Sequence, residues 1–480
     1  MKSRAHNVAA WLARHDPERL AVVDEEHALT YAALDERCAR LAGLLAEAGV
    51  ARGERVALLL GNRSAYLEAL FACARLAAIA VPLNNRLAPP EIARQIADCQ
   101  PRALLCEPQL EPAEPPPFVL RAGEAYEKAL RSAPTHDVEP VDPEEPLVIM
   151  YTSGTTGTPK GALLPQRKTL FNSLNAQIFF GLGAEDRVLV ALPLFHSFGL
   201  NILSVPTLYA GGCVVLHGRF DPERVWQAVE EHGITFFGAV PTLFRQLLET
   251  LPGHRLGSLR FLFTAGAAIG VEVIRAYGAH GLVLKQGYGQ TETSILTCLD
   301  ARDAIRKAGS VGKAVFHAEL RVDAPPGGAA GEILMRGPTT MLGYWRRPEE
   351  TAQAFRDGWL CTGDLARVDD EGFLTLVGRA RDMYISGGEN VYPAEVEAVY
   401  AGHPEVAEIA VVGVPDERWG ETGCAWVVPA AGARPDPEAL RAWGRERLAA
   451  FKLPTECRFV SELPRTVTGK VQKHLLTEIA

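Results

Sequence analysis

The chain lacks paired cysteines, long apolar runs, a surplus of positive charge and internal repeats, and each absence removes a class of protein. Its nine cysteines are scattered and odd in number, with no CxxC among them, which points to reduced thiols in a cytoplasm and away from a disulfide framework or a zinc site. No stretch of about 18 uninterrupted apolar residues is present to cross a bilayer, so no integral membrane segment is expected. A net charge of −9 argues against a nucleic-acid partner. The opening MKSRAHNVAAWLARHDPERLA has neither the full apolar region nor the small-residue cleavage site of a secretory leader, because Arg14, His15 and Asp16 follow a short apolar stretch directly. It reads as an amphipathic first helix. No GK[ST], GxSxG or HExxH occurs, so P-loop NTPase, serine hydrolase and metalloprotease readings have no support.

What is present is an α/β pattern. At 480 residues the chain is long enough for about two or three domains. Apolar runs such as RVALLL, RVLVALPLF, GGCVVLH and LRFLFTAG alternate with helical patterns such as LTYAALDERCARLAGLLAEAG, so helices are expected on both faces of the sheets. Two proline-rich stretches, from Pro108 and from Ser132, should run over the surface, the second acidic and mobile. After residue 380 the texture changes. HPEVAEIAVVGV and CAWVVP read as strands and PEALRAWGRERLAAF as a helix, which places a small α+β domain at 381–480 after a larger one at 1–380.

Four segments carry chemistry. Directly after the apolar run PLVIM comes YTSGTTGTPKG, in which Thr152, Ser153, Thr155 and Thr156 offer hydroxyls, Gly154 and Gly157 allow close backbone approach, and Lys160 adds charge. Such a loop can wrap phosphates; a plain Ser/Thr/Gly turn would not need hydroxyls this dense. The second segment, QGYGQTET, follows GLVLK. Tyr288, between Gly287 and Gly289, can lay its ring against a purine, and Thr291 and Glu292 offer hard oxygen ligands suited to Mg²⁺. Alone, a tyrosine in a glycine-rich turn is more often ordinary packing; the first loop is what makes the nucleotide reading persuasive. The third holds Asp364, able to accept from both ribose hydroxyls, and Arg379, able to help hold the same sugar or a phosphate; for either singly, a structural salt bridge is the better reading. The fourth, LPRTVTGKVQKHLL, presents Lys470, a compact charge able to neutralise a phosphoryl centre, or else an ordinary solvated lysine.

In this order and at these separations, the four segments resemble the adenylate-forming superfamily of acyl-CoA synthetases, firefly-type luciferases and peptide-synthetase adenylation domains. The resemblance spans nearly the whole chain. It implies an AMP-forming acid–thiol ligase using ATP, Mg²⁺ and CoA: Lys470, Glu292 and Thr152 catalytic, Ser153 to Gly157 with Lys160 on the phosphates, Glu292 on the metal, Asp364 and Arg379 on the ribose. The implied fold is a large N-terminal region of two α/β subdomains plus a β-rich one, followed by a small mobile C-terminal α+β lid that turns about a hinge at Arg381. Gly387 and Gly388 would leave room for a pantetheine arm, or form a simple turn. One departure is Gln166, which stands where many relatives carry a histidine.

His196, in PLFHSFGL, occupies the place of the family's acyl-pocket gate, where relatives that activate α-amino acids carry aspartate; a packing histidine is the other reading. Phe237, Gly266, Ala267 and Ala268 are expected to line that pocket, although each phenylalanine singly reads as core. A fatty or medium-chain acid is expected first, and o-succinylbenzoate or another aryl acid second. No fused carrier domain is expected beyond Lys470, so a carrier protein in place of CoA would be a separate partner, and a homodimer is the assembly to be tested. A non-catalytic nucleotide-binding regulator is the reading from another class, opposed by the intact set Lys470, Glu292, Asp364 and Arg379.

Overall fold

The computed structural model describes all residues except 153–158, 267–268, 325–329, 381, 387–388, 417–418, 467–468 and 480. The chain forms a larger compact unit, Met1–Leu320 with Met335–Leu360, and a smaller one, Arg321–Leu334 with Cys361–Ala480. This is the mixed α/β architecture expected, with a large N-terminal part and a small C-terminal one. Among the described residues no helix is long and apolar enough to cross a membrane.

The larger unit is built on two sheets. In one, strands Leu20–Val23, Cys213–Leu216, Arg187–Val190, Phe236–Ala239, Phe261–Thr264 and Leu284–Gln290 run parallel, and antiparallel strands close its edges. Runs such as CVVL and FLFT are buried at every position, as expected for parallel strands covered by helices on both faces. Behind this sheet Trp226, Phe244 and Tyr277 form the centre of a large apolar core. In the other sheet, Pro146–Thr152, Ile79–Pro82, Arg55–Leu59, Ala103–Cys106 and Phe118–Arg121 are parallel neighbours, while Lys160–Pro165 returns antiparallel beside Pro146–Thr152. Helix Tyr31–Glu47 shows why such segments fold locally: the Thr30 side chain caps it by accepting from the Ala33 N–H, and Leu34, Cys38, Leu41 and Leu45 line its buried face.

Two elements differ from expectation. The expected N-terminal helix is two 3₁₀ segments, Arg4–His6 and Val8–Arg14, the second capped by the Asn7 side chain at the Ala9 N–H, with Val8, Ala9, Trp11 and Leu12 buried. The acidic proline-rich stretch is tied down. Val141 pairs with Ser3, the His136 N–H donates to the Ala39 carbonyl, and the Glu139 N–H to that of Arg75. Proline removes donors but not acceptors, so the segment is held by bonds to its remaining amides.

In the smaller unit, Val406–Asp416 and Gly420–Pro429 form a long antiparallel pair with Glu456–Phe459 parallel alongside. Helices Pro393–Tyr400 and Pro437–Arg445 cover one face through Val396, Tyr400 and Leu440, and Leu476 of helix Lys473–Ile479 covers the other. The second helix stops short of Phe451. Within it, Gly444 lies where a Cβ would come within 2.2 Å of the Tyr400 hydroxyl, so only glycine lets the two helices approach this closely.

Trp226 is fully buried, stands 5.9 Å from the Phe237 ring and donates from its indole to the Leu247 carbonyl at 3.1 Å. Trp226→Ala should therefore cost the larger unit about 3–5 kcal/mol, read as a lower urea midpoint; an unchanged midpoint would refute this account of the core.

Candidate functional site

The hydroxyl-rich loop hangs from a hairpin. Thr152, at the end of Pro146–Thr152, pairs with Lys160, and its hydroxyl donates to the Lys160 carbonyl at 3.3 Å. Ser153, Gly154, Thr155, Thr156 and Gly157 lie outside the described residues. The base of the hairpin is fixed on both sides: the Tyr151 hydroxyl donates to Asp98 Oδ2 at 2.7 Å, and the Trp345 N–H to the Gly161 carbonyl at 2.7 Å. Lys160 Nζ lies 5.5 Å from the centre of the Tyr344 ring, within cation–π range.

The Tyr344 hydroxyl continues the series by donating to Glu292 Oε1 at 3.1 Å. Glu292 sits in a tight reversal between Leu284–Gln290 and Ser294–Leu299, closed by the Thr293 N–H on the Gln290 carbonyl and the Gln290 N–H on the Thr293 hydroxyl. Gly287 and Gly289 are required by space: a Cβ would come within 2.7 Å of the Phe263 ring at the first and 1.9 Å of the Ser294 carbonyl oxygen at the second. Tyr288 between them is buried, and Thr291 is partly exposed beside Glu292. The structure thus brings Thr152, Lys160 and Glu292 into one chain of contacts through Tyr344, a residue that the motif reading missed. Its signal in the sequence is Gly343, which has φ 147° and no room for a Cβ, with Thr351 Cγ2 2.5 Å away.

Lys168 was missed as well. It is 1% exposed, its ammonium meets the Ser294 hydroxyl, and burial pushes its pKa down to about 7 while the charge of Glu292 pulls it up and Arg167 pushes it down further. Gln166, the departure from the family pattern, is buried and accepts from the Val8 N–H at 3.2 Å, so it packs the N-terminal segment in place.

Among the described residues no cluster of three or more His, Cys, Asp or Glu side chains could hold a metal alone. A single carboxylate with a tyrosine donor on one oxygen suits Mg²⁺, which keeps waters and takes substrate phosphates for its remaining positions. Glu292 fits an ion that arrives with a nucleotide.

On the other side of the sheet's C-terminal edge, His196 is partly buried beside Phe195 and accepts the Leu200 N–H through its carbonyl, at the entrance to the π-helical segment Phe198–Ser204. The Phe198 ring lies 5.6 Å from that of Phe263, and a Cβ at Gly238 would come within 2.9 Å of Phe198. Successive residues of a strand face opposite ways. Phe237 accordingly points into the core, packed on Trp226 and Phe244. Gly266 has φ 89°, and Ala267 and Ala268 lie outside the described residues.

In the smaller unit, Asp364 on Trp359–Val368 lies opposite Arg379 on Leu374–Arg379, with Arg379 Nε 3.0 Å from Asp364 Oδ1. Each residue read singly suggested a salt bridge, and they make it with each other. Asp364 is buried and Arg379 partly exposed. Lys470 is exposed after Gly469, whose φ of 84° closes a turn in which the Thr466 N–H donates to the Lys470 carbonyl at 2.8 Å. Arg381, Gly387 and Gly388 lie outside the described residues.

Removing the donor that orients Glu292 should weaken a Mg²⁺-linked nucleotide site. Tyr344→Phe is expected to raise the dissociation constant of Mg²⁺·ATP about 5- to 10-fold with little change in melting temperature; equal binding by titration calorimetry would remove Tyr344 from the site.

The AMP-binding enzyme family profile matches residues 9–345, and that of the AMP-binding enzyme C-terminal domain matches 395–470. A feruloyl-CoA synthase of an Amycolatopsis species is 44% identical over 96% of both chains, and an indoleacetate–CoA ligase of Aromatoleum aromaticum is 41% identical over 97% of this chain and 96% of its own. The solved o-succinylbenzoate–CoA synthetase of Bacillus subtilis in complex with ATP and magnesium is 32% identical, with a TM-score of 0.89 over 98% of this chain and 99% of that one. The chain belongs to the AMP-binding enzyme family and is an AMP-forming acid–CoA ligase of the adenylate-forming superfamily, using ATP, Mg²⁺ and CoA.

Proposed function

We propose that the protein joins an aryl-bearing carboxylic acid to CoA through an acyl-adenylate. The observation that supports acid activation is the run of contacts from Lys160 through Tyr344 to Glu292, a cation and a metal-suited carboxylate joined by one side chain. The relatives at 44% and 41% identity handle ferulate and indoleacetate, and this moves an aryl acid ahead of the fatty acid expected from sequence.

In the first half-reaction a carboxylate oxygen bonds to the α-phosphorus of ATP and pyrophosphate leaves. The step needs charge neutralisation and in-line placement more than proton transfer. Thr152, Lys160 and residues 153–157 would hold phosphate oxygens and Glu292 would hold Mg²⁺, which when bound would offset the charge of the departing pyrophosphate. Asp364, already paired with Arg379, accepts from the ribose hydroxyls. Lys470 neutralises the attacking carboxylate and α-phosphoryl oxygens. In the second half-reaction the CoA sulfur attacks the acyl carbon and AMP leaves. Gly387 and Gly388 give the pantetheine arm passage, and the lid, residues 381–480, turns at Arg381 between the steps. His196 gates the acyl pocket, with Gly266, Ala267 and Ala268 at its wall; Phe237 contributes from the core behind it.

The test is ATP-dependent pyrophosphate release with Mg²⁺ over hydroxycinnamic, indoleacetic, o-succinylbenzoic and fatty acids, with and without CoA. Selective turnover of an aryl acid with CoA is expected. Preference for fatty acids would reverse the substrate assignment, and release that CoA does not accelerate would point to a carrier-protein acceptor. Lys470→Ala should lower acyl-adenylate formation by at least about 10²-fold while nucleotide binding stays within about twofold; normal adenylate formation would sink the role given to Lys470. A bulky residue at Gly388 should spare adenylate formation and slow thioester formation. Equal loss of both half-reactions would remove the case for a separate CoA role.

A further inference from the structure

Lysine is among the residues least often fully buried, because its charge must leave water. Lys168 is nevertheless 1% exposed, in the first turn of helix Gln166–Phe180. Among the described residues no carboxylate comes within ion-pair distance of its ammonium; its contact is the hydroxyl of Ser294. Ser294 has φ 61°, a left-handed conformation that a non-glycine residue adopts only where its surroundings enforce it. It is the exit residue of the reversal that carries Glu292. One helical turn beyond Lys168, Asn172 Oδ1 accepts from the Ile295 N–H at 3.2 Å, and Nδ2 donates to the Asn201 carbonyl. Asn175, on the same helix face, accepts from the His317 N–H at 3.0 Å. The polar face of this helix therefore grips the strand leaving Glu292 at successive points, and the first grip is made by a cation.

A neutral side chain could hold Ser294 at lower desolvation cost, so the charge calls for a reason. Glu292 supplies the principal negative charge that Lys168 senses, and Arg167 is the other charged group facing it. When protonated, Lys168 adds positive potential toward an incoming polyphosphate.

We infer that Lys168 is a positioning residue for Glu292, holding the Ser294 turn and lending charge so that the carboxylate is set to receive Mg²⁺·ATP. This rests on the ligase reading for its ligand but not for its test, because nucleotide binding can be measured without turnover. The experiment is a double-mutant cycle on the full chain: wild type, Lys168→Met, Glu292→Gln and the double variant. Each is titrated with Mg²⁺·ATP by calorimetry, with KM for the acid measured wherever turnover persists. Lys168→Met is expected to weaken Mg²⁺·ATP at least about 10-fold in the wild-type background and no more than about twofold once Glu292→Gln is present, with the KM for the acid unchanged. Equal losses in both backgrounds, or no loss, would overturn the inference by showing Lys168 to be structural only. If Lys168→Met does not fold, Ser294→Ala takes its place in the cycle, keeping the lysine and removing its contact, and the same two outcomes decide. Should wild type bind Mg²⁺·ATP yet release no pyrophosphate with any acid, the ligase reading fails and the cycle still stands.

Discussion

Helix Gln166–Phe180 is the constraint on which the larger unit depends. It leaves the loop-bearing hairpin directly at Pro165 and carries its polar side chains inward. Gln166 binds the N-terminal 3₁₀ segment, Lys168 and Asn172 bind the start of the strand after Glu292, and Asn175 binds His317. Buried polar groups are costly when unmatched and specific when matched. A helix held this way can sit in one register only, and the register places the loop-bearing hairpin and the Glu292 turn at fixed positions within the unit.

That arrangement also marks the limit of what a linear reading can find. Thr152, Lys160, Tyr288 and Glu292 were legible because they fall within short runs of glycine and hydroxyl residues, where local spacing and chemistry coincide. Tyr344 and Lys168 were not, since each acts on a partner far along the chain: Tyr344 reaches Glu292 across 52 positions and Lys168 reaches Ser294 across 126. The helix itself hides its face for the same reason. Most of its buried side chains are polar, among them Gln166, Lys168, Asn172 and Asn175, so the hydrophobic periodicity that marked Tyr31–Glu47 is absent. Parallel strands were readable because burial on both faces makes them uniformly apolar. The 3₁₀ winding of Val8–Arg14 and the pinned proline-rich stretch depend on hydrogen bonds that sequence does not display.

The smaller unit follows a different logic. Asp364 and Arg379 face each other across an antiparallel ladder, so the pairing that each invited separately comes from one register. A carboxylate held by a neighbouring guanidinium on a rigid ladder is already oriented, and an oriented acceptor loses less entropy on meeting two hydroxyls than a free one. A structural salt bridge and a ribose clamp are therefore compatible roles for the same pair.

Strand alternation also divides the buried strand Phe236–Ala239. Phe237 turns into the core with Trp226, whereas Gly238 faces Phe198, whose ring meets Phe263. A side chain at 238 would displace Phe198 unless the π-helical segment carrying it moved. Offset and edge-on contacts between aromatic rings are favoured by the charge distribution of the rings as well as by burial. Phe263 is 1% exposed and its ring meets those of Phe179, Phe180 and Phe198, so these aromatics close on one another as core, and the bare Cα of Gly238 is what lets Phe198 seat among them.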